Sequence, residues 1–261
     1  MLVKTCSKLK YIEFVLMLGL VIGYGLASHH RNSVWKDNFS LWSDVVGKSP
    51  RKARPHLRLG TACMERGLYD QSIPEFNEVL RLDSHIFPQA LYNLGLSYEK
   101  KGLPDQAVIA YQKAIYLNPD YAMVHVNLGL LYKDQGLIEE AMAHYKKAVE
   151  LKPYHPKYVQ AYINLGLALR EKGLIDDAIV QYAKVVQFKP DYAPARNDLG
   201  VCYFEKGWTD KAVEQFETAI RIDPDHIDAH YNLGVAYGSK GLYDKALEKI
   251  RKARALGSRH E

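Results

Sequence analysis

The sequence predicts an all-α fold, a solenoid of helix-turn-helix repeats preceded by one N-terminal membrane helix. Three observations carry that reading. Beyond residue 52 one phrase recurs six times, as LRLGTACMERGLYDQSI, LYNLGLSYEKKGLPDQAV, HVNLGLLYKDQGLIEEAM, YINLGLALREKGLIDDAI, RNDLGVCYFEKGWTDKAV and HYNLGVAYGSKGLYDKAL. Its first glycines, Gly60, Gly95, Gly129, Gly166, Gly200 and Gly234, are 35, 34, 37, 34 and 34 residues apart, a period at which no single unit buries its apolar face alone. The start of the chain differs, with an apolar run flanked by basic residues.

The elements follow in order. Residues 1–10 form a basic segment with Lys4, Lys8 and Lys10, and residues 11–28 are the predicted membrane anchor or uncleaved signal. Apolar residues run from Phe14 to Ala27, short against the ~20 that a bilayer requires, because Glu13 interrupts the extension through Tyr11 and Ile12. Gly25, Leu26 and Ala27 would suit a signal peptidase, so cleavage is the alternative to anchoring. Next comes residues 33–52, where Trp35, Phe39, Trp42 and Val46 fall on one helical stripe fit to cover the bare face of the first repeat. The repeats then occupy 53–86, 88–121, 122–155, 159–192, 193–226 and 227–260.

Each repeat carries its own punctuation. A second glycine, at 67, 102, 136, 173, 207 and 241, sits where the first helix ends, since glycine accepts the left-handed conformation of such a stop. Three residues later stands an acid (Asp70, Asp105, Glu139, Asp176, Asp210, Asp244), placed to accept free backbone N–H groups at the start of the second helix. Pro119, Pro153, Pro190 and Pro224 close the second helices.

The spacing of Leu91, Leu94, Gly95, Tyr98, Ala107, Tyr111, Ala114 and Pro119 resembles the tetratricopeptide repeat, and the resemblance runs from Ala53 to His260. Ser84 and Ile250 depart from it, and Phe87 and residues 156–158 are insertions. With Pro50 set on the closing proline, Trp42 takes the second-helix aromatic position, so 33–52 reads as a half-repeat capping helix. The family implies a right-handed superhelix whose first helices line a concave, protein-binding groove. By that resemblance the groove residues are Tyr92, Asn93, Leu96, Val126, Asn127, Leu130, Ile163, Asn164, Leu167, Asn197, Asp198, Val201, Tyr231, Asn232 and Val235. Leu96, Leu130, Leu167, Val201 and Val235 form an apolar stripe, with Tyr92, Val126, Ile163 and Tyr231 beside it. Asn93, Asn127, Asn164 and Asn232, with Asp198 in register, resemble the asparagine ladder of O-GlcNAc transferases, where each amide donates to and accepts from a peptide backbone. The other reading is that neighbouring first helices cover much of this surface.

No catalytic constellation, cofactor or metal site stands apart from the repeat, so the chain reads as non-enzymatic. His226 and His230 are four residues apart, but the glutamate of a zinc-protease motif is missing and position 230 repeats His56 and His125 as a packing position. Three cysteines are too few for a disulfide framework. The net charge of +5 equals the cluster Lys48, Arg51, Lys52, Arg54 and Arg58, which fits anionic lipid headgroups better than nucleic acid.

Residues 31–56 also resemble the junction that joins a membrane domain like that of protein O-mannosyltransferases to such repeats. The expected function is a membrane-anchored scaffold, single-pass in a bacterial inner membrane with periplasmic repeats, binding a protein or peptide. Alternatives are a substrate-recruiting subunit of a membrane glycosyltransferase and a soluble periplasmic assembly factor.

Overall fold

The computed structural model describes Met17 and residues 35–82, 88–151 and 158–258. Apart from Met17, the predicted membrane segment lies outside these residues; no helix among the described residues is long and apolar enough to cross a membrane. The described chain holds thirteen α-helices and divides into two compact units, one up to Lys113 and one from Ala114.

The first unit contains α1 (Asn38–Lys48), α2 (Ala53–Glu65), α3 (Tyr69–Leu82), α4 (Pro88–Lys100) and most of α5 (Pro104–Leu117). Helix α1 starts in a capping box: the Asp37 carboxylate accepts the Ser40 N–H at 2.9 Å, and the Ser40 hydroxyl accepts the Asp37 N–H at 3.1 Å. It packs on α2, with Trp35, Phe39, Trp42 and Val46 half-buried. Trp35 Nε1 donates to Asp44 at 3.1 Å, and the Arg66 guanidinium, paired with Asp37, lies 4.4 Å over the Phe39 ring.

The second unit holds the end of α5, then α6 (Ala122–Asp134), α7 (Ile138–Leu151), α8 (Val159–Glu171), α9 (Ile175–Phe188), α10 (Ala193–Glu205), α11 (Thr209–Ile222), α12 (Ile227–Ser239) and α13 (Tyr243–Gly257). From α7 onward each helix packs on its predecessor, and the alternate helices α10 and α12 also touch. That pattern makes four helix pairs, with α6, α8, α10 and α12 as first helices.

Close approach within a pair depends on the first glycine. A Cβ built on Gly129 would lie 2.6 Å from the Tyr145 ring, which is fully buried, so only glycine lets α6 sit against α7. Turn glycines have the left-handed backbone expected of them. At Gly136 φ is 76°, its N–H bonds to the Lys133 carbonyl at 2.9 Å and the Leu137 N–H to the Tyr132 carbonyl at 2.8 Å, which closes the last turn of α6 in a Schellman motif.

The acids after these glycines stand at the helix starts as expected, and the Glu139 carboxylate accepts its own backbone N–H. They are second residues of their helices, behind the cap position, and the caps Leu174, Trp208 and Leu242 make no side-chain cap bond. Four of the six acids pair forward with a lysine of the next repeat: Asp70 with Lys101 in the first unit; Glu139 with Lys172, Asp176 with Lys206 (2.9 Å) and Asp210 with Lys240 in the second.

A second tie links consecutive repeats. His56, His125 and His230 each present Nε2 to the carbonyl of the closing proline six residues earlier, Pro50, Pro119 and Pro224, at 2.9 Å. Arg196 Nε donates to the Pro190 carbonyl at 3.3 Å.

Candidate peptide-binding groove

In the first unit, Tyr92 and Leu96 on α4 are half-buried and Asn93 is 7% exposed. Asn93 Oδ1 accepts from Gln89 Nε2 at 3.4 Å, and its Nδ2 lies 3.5 Å from Thr61 Oγ1 on α2. The Tyr92 ring leans on the Tyr111 ring at 6.1 Å between centroids.

In the second unit the predicted row climbs from buried to exposed. Val126 is 6% exposed, Asn164 5% and Asn197 6%. Asn127, Leu130, Ile163, Leu167, Asp198, Val201 and Asn232 are half-buried, whereas Tyr231 is 53% and Val235 37% exposed. Leu130 and Ile163 pack against the core of Tyr145, Tyr162 and Tyr182, and Val201 against Phe216 and Leu233. Part of the apolar stripe therefore contributes to the fold, and the reachable part lies towards α12.

The amide row bonds within itself where α10 faces α12. Asn232 Nδ2 donates to Asn197 Oδ1 at 2.9 Å, and Asn197 Nδ2 to Asp198 Oδ1 at 3.4 Å. On α8, Asn164 Oδ1 accepts from Gln160 Nε2 at 3.0 Å, while its Nδ2, near the Tyr145 hydroxyl, is buried without a well-formed bond. Burial raises the Asp198 pKa above the usual carboxylate range, with the positive charge of Arg170 acting against it. Arg170 is itself paired with Glu205 at 3.5 Å.

Other candidate chemistry is occupied. His226 Nδ1 accepts the Ala229 N–H at 3.3 Å as the cap of α12, and His230 Nε2 is on Pro224, so the two histidines do not converge. Among the described residues no group of three metal-ligating side chains occurs. Burial pushes the Cys202 thiol up to about 12 and raises that of Cys63, the reverse of a reactive cysteine. The basic cluster is exposed at each of Lys48, Arg51, Lys52, Arg54 and Arg58.

Two features went unread in the sequence. A cleft of about 490 Å³ lies between α7 and α9, with Val149, Leu165 and Leu169 among its apolar lining, and one of about 170 Å³ lies between α3 and α5 over Leu91 and Leu94. Both fall at the junctions whose glycine spacing exceeds 34, from Gly129 to Gly166 and from Gly60 to Gly95. The proline-to-histidine tie was also missed, although the spacing in PRKARPH, PDYAMVH, PDYAPAR and PDHIDAH displays it.

Tetratricopeptide repeat families match residues 88–121 and 120–191, and a family described as TPR repeat matches residues 202–241. With the stacked helix pairs, these matches show that the chain carries tetratricopeptide repeats (TPR) and has the fold of an all-α TPR solenoid. Among solved structures it is similar to MamA (32% identity, TM-score 0.60, 64% of this chain and 96% of that one). It is also similar to YrrB, described as a TPR protein with an unusual peptide-binding site (25% identity, TM-score 0.62, 72% and 95% coverage). A curated relative is the photosystem I assembly protein Ycf3 of Acaryochloris marina (strain MBIC 11017), 31% identical over 90 residues. That match takes in 31% of this chain and 54% of the relative, so the chain spans about half of Ycf3.

Proposed function

We propose that this chain is a scaffold that holds an extended segment of a partner protein on the first helices of its second unit. The observation that carries the reading is the end of the row on α10 and α12, where exposed Tyr231 and Val235 stand beside the joined polar groups Asn197, Asp198 and Asn232. An exposed apolar strip beside peptide-like amides fits an extended chain, which offers both side chains and backbone bonds. The peptide-binding description of YrrB and the assembly role in the name of Ycf3 support the same class of function.

The scaffold is further proposed to be held at a bacterial inner membrane by residues 11–28, with the repeats on the periplasmic side and the exposed cations from Lys48 to Arg58 against anionic headgroups. The junction-like sequence 31–56 keeps a membrane glycosyltransferase among the candidate partners.

The test is in-cell photocrosslinking from positions 231 and 235, paired with the double substitution Tyr231→Ser, Val235→Ser. A defined partner should be caught from both positions, and the double variant, carrying no crosslinker, should fail to retain that partner in a pull-down, with helicity unchanged because both residues are exposed. Undiminished capture by the double variant would sink the reading. Leu130 and Val201 suit this test less well, because they also pack on the core.

A further inference from the structure

We propose that this groove selects a partner segment carrying a lysine or arginine, and that Asp198 is the residue that receives the cation. The inference rests on the groove reading above and adds the chemistry of the occupant. Of the six positions in register four are asparagine; Arg58 stands in the first repeat and Asp198 in the fifth. An amide both donates and accepts and so suits any peptide unit; an ionised carboxylate only accepts, and offers about four lone-pair sites.

The neighbours of Asp198 leave that capacity open. The chain of amides from Asn232 through Asn197 ends on its Oδ1 with one long bond of 3.4 Å. Arg170 acts on it through charge, with no hydrogen bond between the two, and shares that charge with Glu205 at 3.5 Å. From α12, Asp228 adds negative charge and His226 faces the carboxylate as a titratable neighbour. The result is a half-buried carboxylate, poorly solvated and incompletely paired, beside apolar side chains.

A ligand with a basic side chain supplies the missing donors and offsets the cost of burying the charge. The aliphatic stem of that side chain, or the apolar residues beside it, would cover Val201, Tyr231 and Val235. An acidic segment meets two carboxylates, and a neutral one buries Asp198 further without compensation.

The test uses the full chain in detergent micelles and three labelled nine-residue apolar peptides that differ only in a central Lys, Gln or Glu, read by fluorescence anisotropy. The Lys peptide should bind about tenfold tighter than the Gln peptide, with the Glu peptide weakest. Asp198→Asn, which restores the ladder amide and keeps the shape, should bring the Lys and Gln peptides to the same affinity. Equal binding of the three peptides, lost in the Tyr231→Ser, Val235→Ser variant, would overturn charge selection while the groove stands. A Lys preference that persists in Asp198→Asn would remove Asp198 from the role. No binding of any peptide would take down both the groove and the inference.

Discussion

Two kinds of junction connect the helix pairs, and they differ by one to three residues. At the shorter kind a closing proline carbonyl is met six residues later by a side-chain donor, as with Pro119 and His125 or Pro224 and His230. At the longer kind the corresponding positions hold Leu91 and Tyr162, and a cleft lies between the second helices. A proline carbonyl at a helix exit has no helical N–H of its own to accept, so a donor at a fixed spacing both satisfies it and sets where the next helix begins. At the longer junctions apolar side chains take over the position, Leu91 in one and Tyr162 in the other.

The largest effect should come from the longer junction. Tyr162 is fully buried, and its ring meets Phe188 edge-on at 5.6 Å. Tyr162→Ala should cost about 3–5 kcal/mol of unfolding free energy by denaturant titration. At a shorter junction, His125→Leu fills the space but orphans two groups, the Pro119 carbonyl and His144 Nδ1, which lies 2.9 Å from His125 Nδ1. That substitution should cost about 2 kcal/mol. His230→Leu should cost less, about 1 kcal/mol, because it also removes a buried Nδ1 that has no partner. Equal losses at all three positions would dissolve the distinction between the junctions.

Acid should act on the histidine pair next. With Nε2–H of His125 on Pro119, its Nδ1 accepts from His144 Nδ1–H, and His125 takes no second proton without breaking the contact. Burial, followed by the charge of His125, lowers the His144 pKa to about 4, and burial lowers that of His125 despite its bond to Pro119. A lowered folded-state pKa means that the unfolded chain binds the proton more readily. The stabilisation is therefore whole above about pH 6.5 and is lost as pH falls towards 4. Thermal melts across that window should show the loss, and His144→Phe, which keeps a ring against Tyr132 and His125, should flatten it.

The repeat pattern made helix order, turn glycines and the burial of Tyr111, Tyr145 and Tyr182 legible in the sequence, because each depends on local spacing. The site was legible only as a row of positions. How much of Asn164 or Asn197 a neighbouring helix covers depends on how closely the first helices pack, and a periodicity carries no such distance. The acids after the turn glycines were read only in part, for a related reason. Their helix-start position was right, but four of them also pair with lysines about 30 residues on, as in Asp176 with Lys206, which a reading within one repeat does not reach.

Those forward ion pairs should be the weakest of the inter-repeat ties. Lys206 meets Asp176 at 2.9 Å, but the side chains are 32% and 72% exposed, so water screens the pair and competes for both partners. Lys206 also stands 5.9 Å from the exposed Trp208 ring, where its methylenes cover apolar surface. Lys206→Met keeps those methylenes and removes the charge, and should change stability by no more than about 0.5 kcal/mol, with the difference shrinking in high salt. A loss as large as that of His125→Leu would mean that charge, rather than the proline tie, holds one repeat to the next.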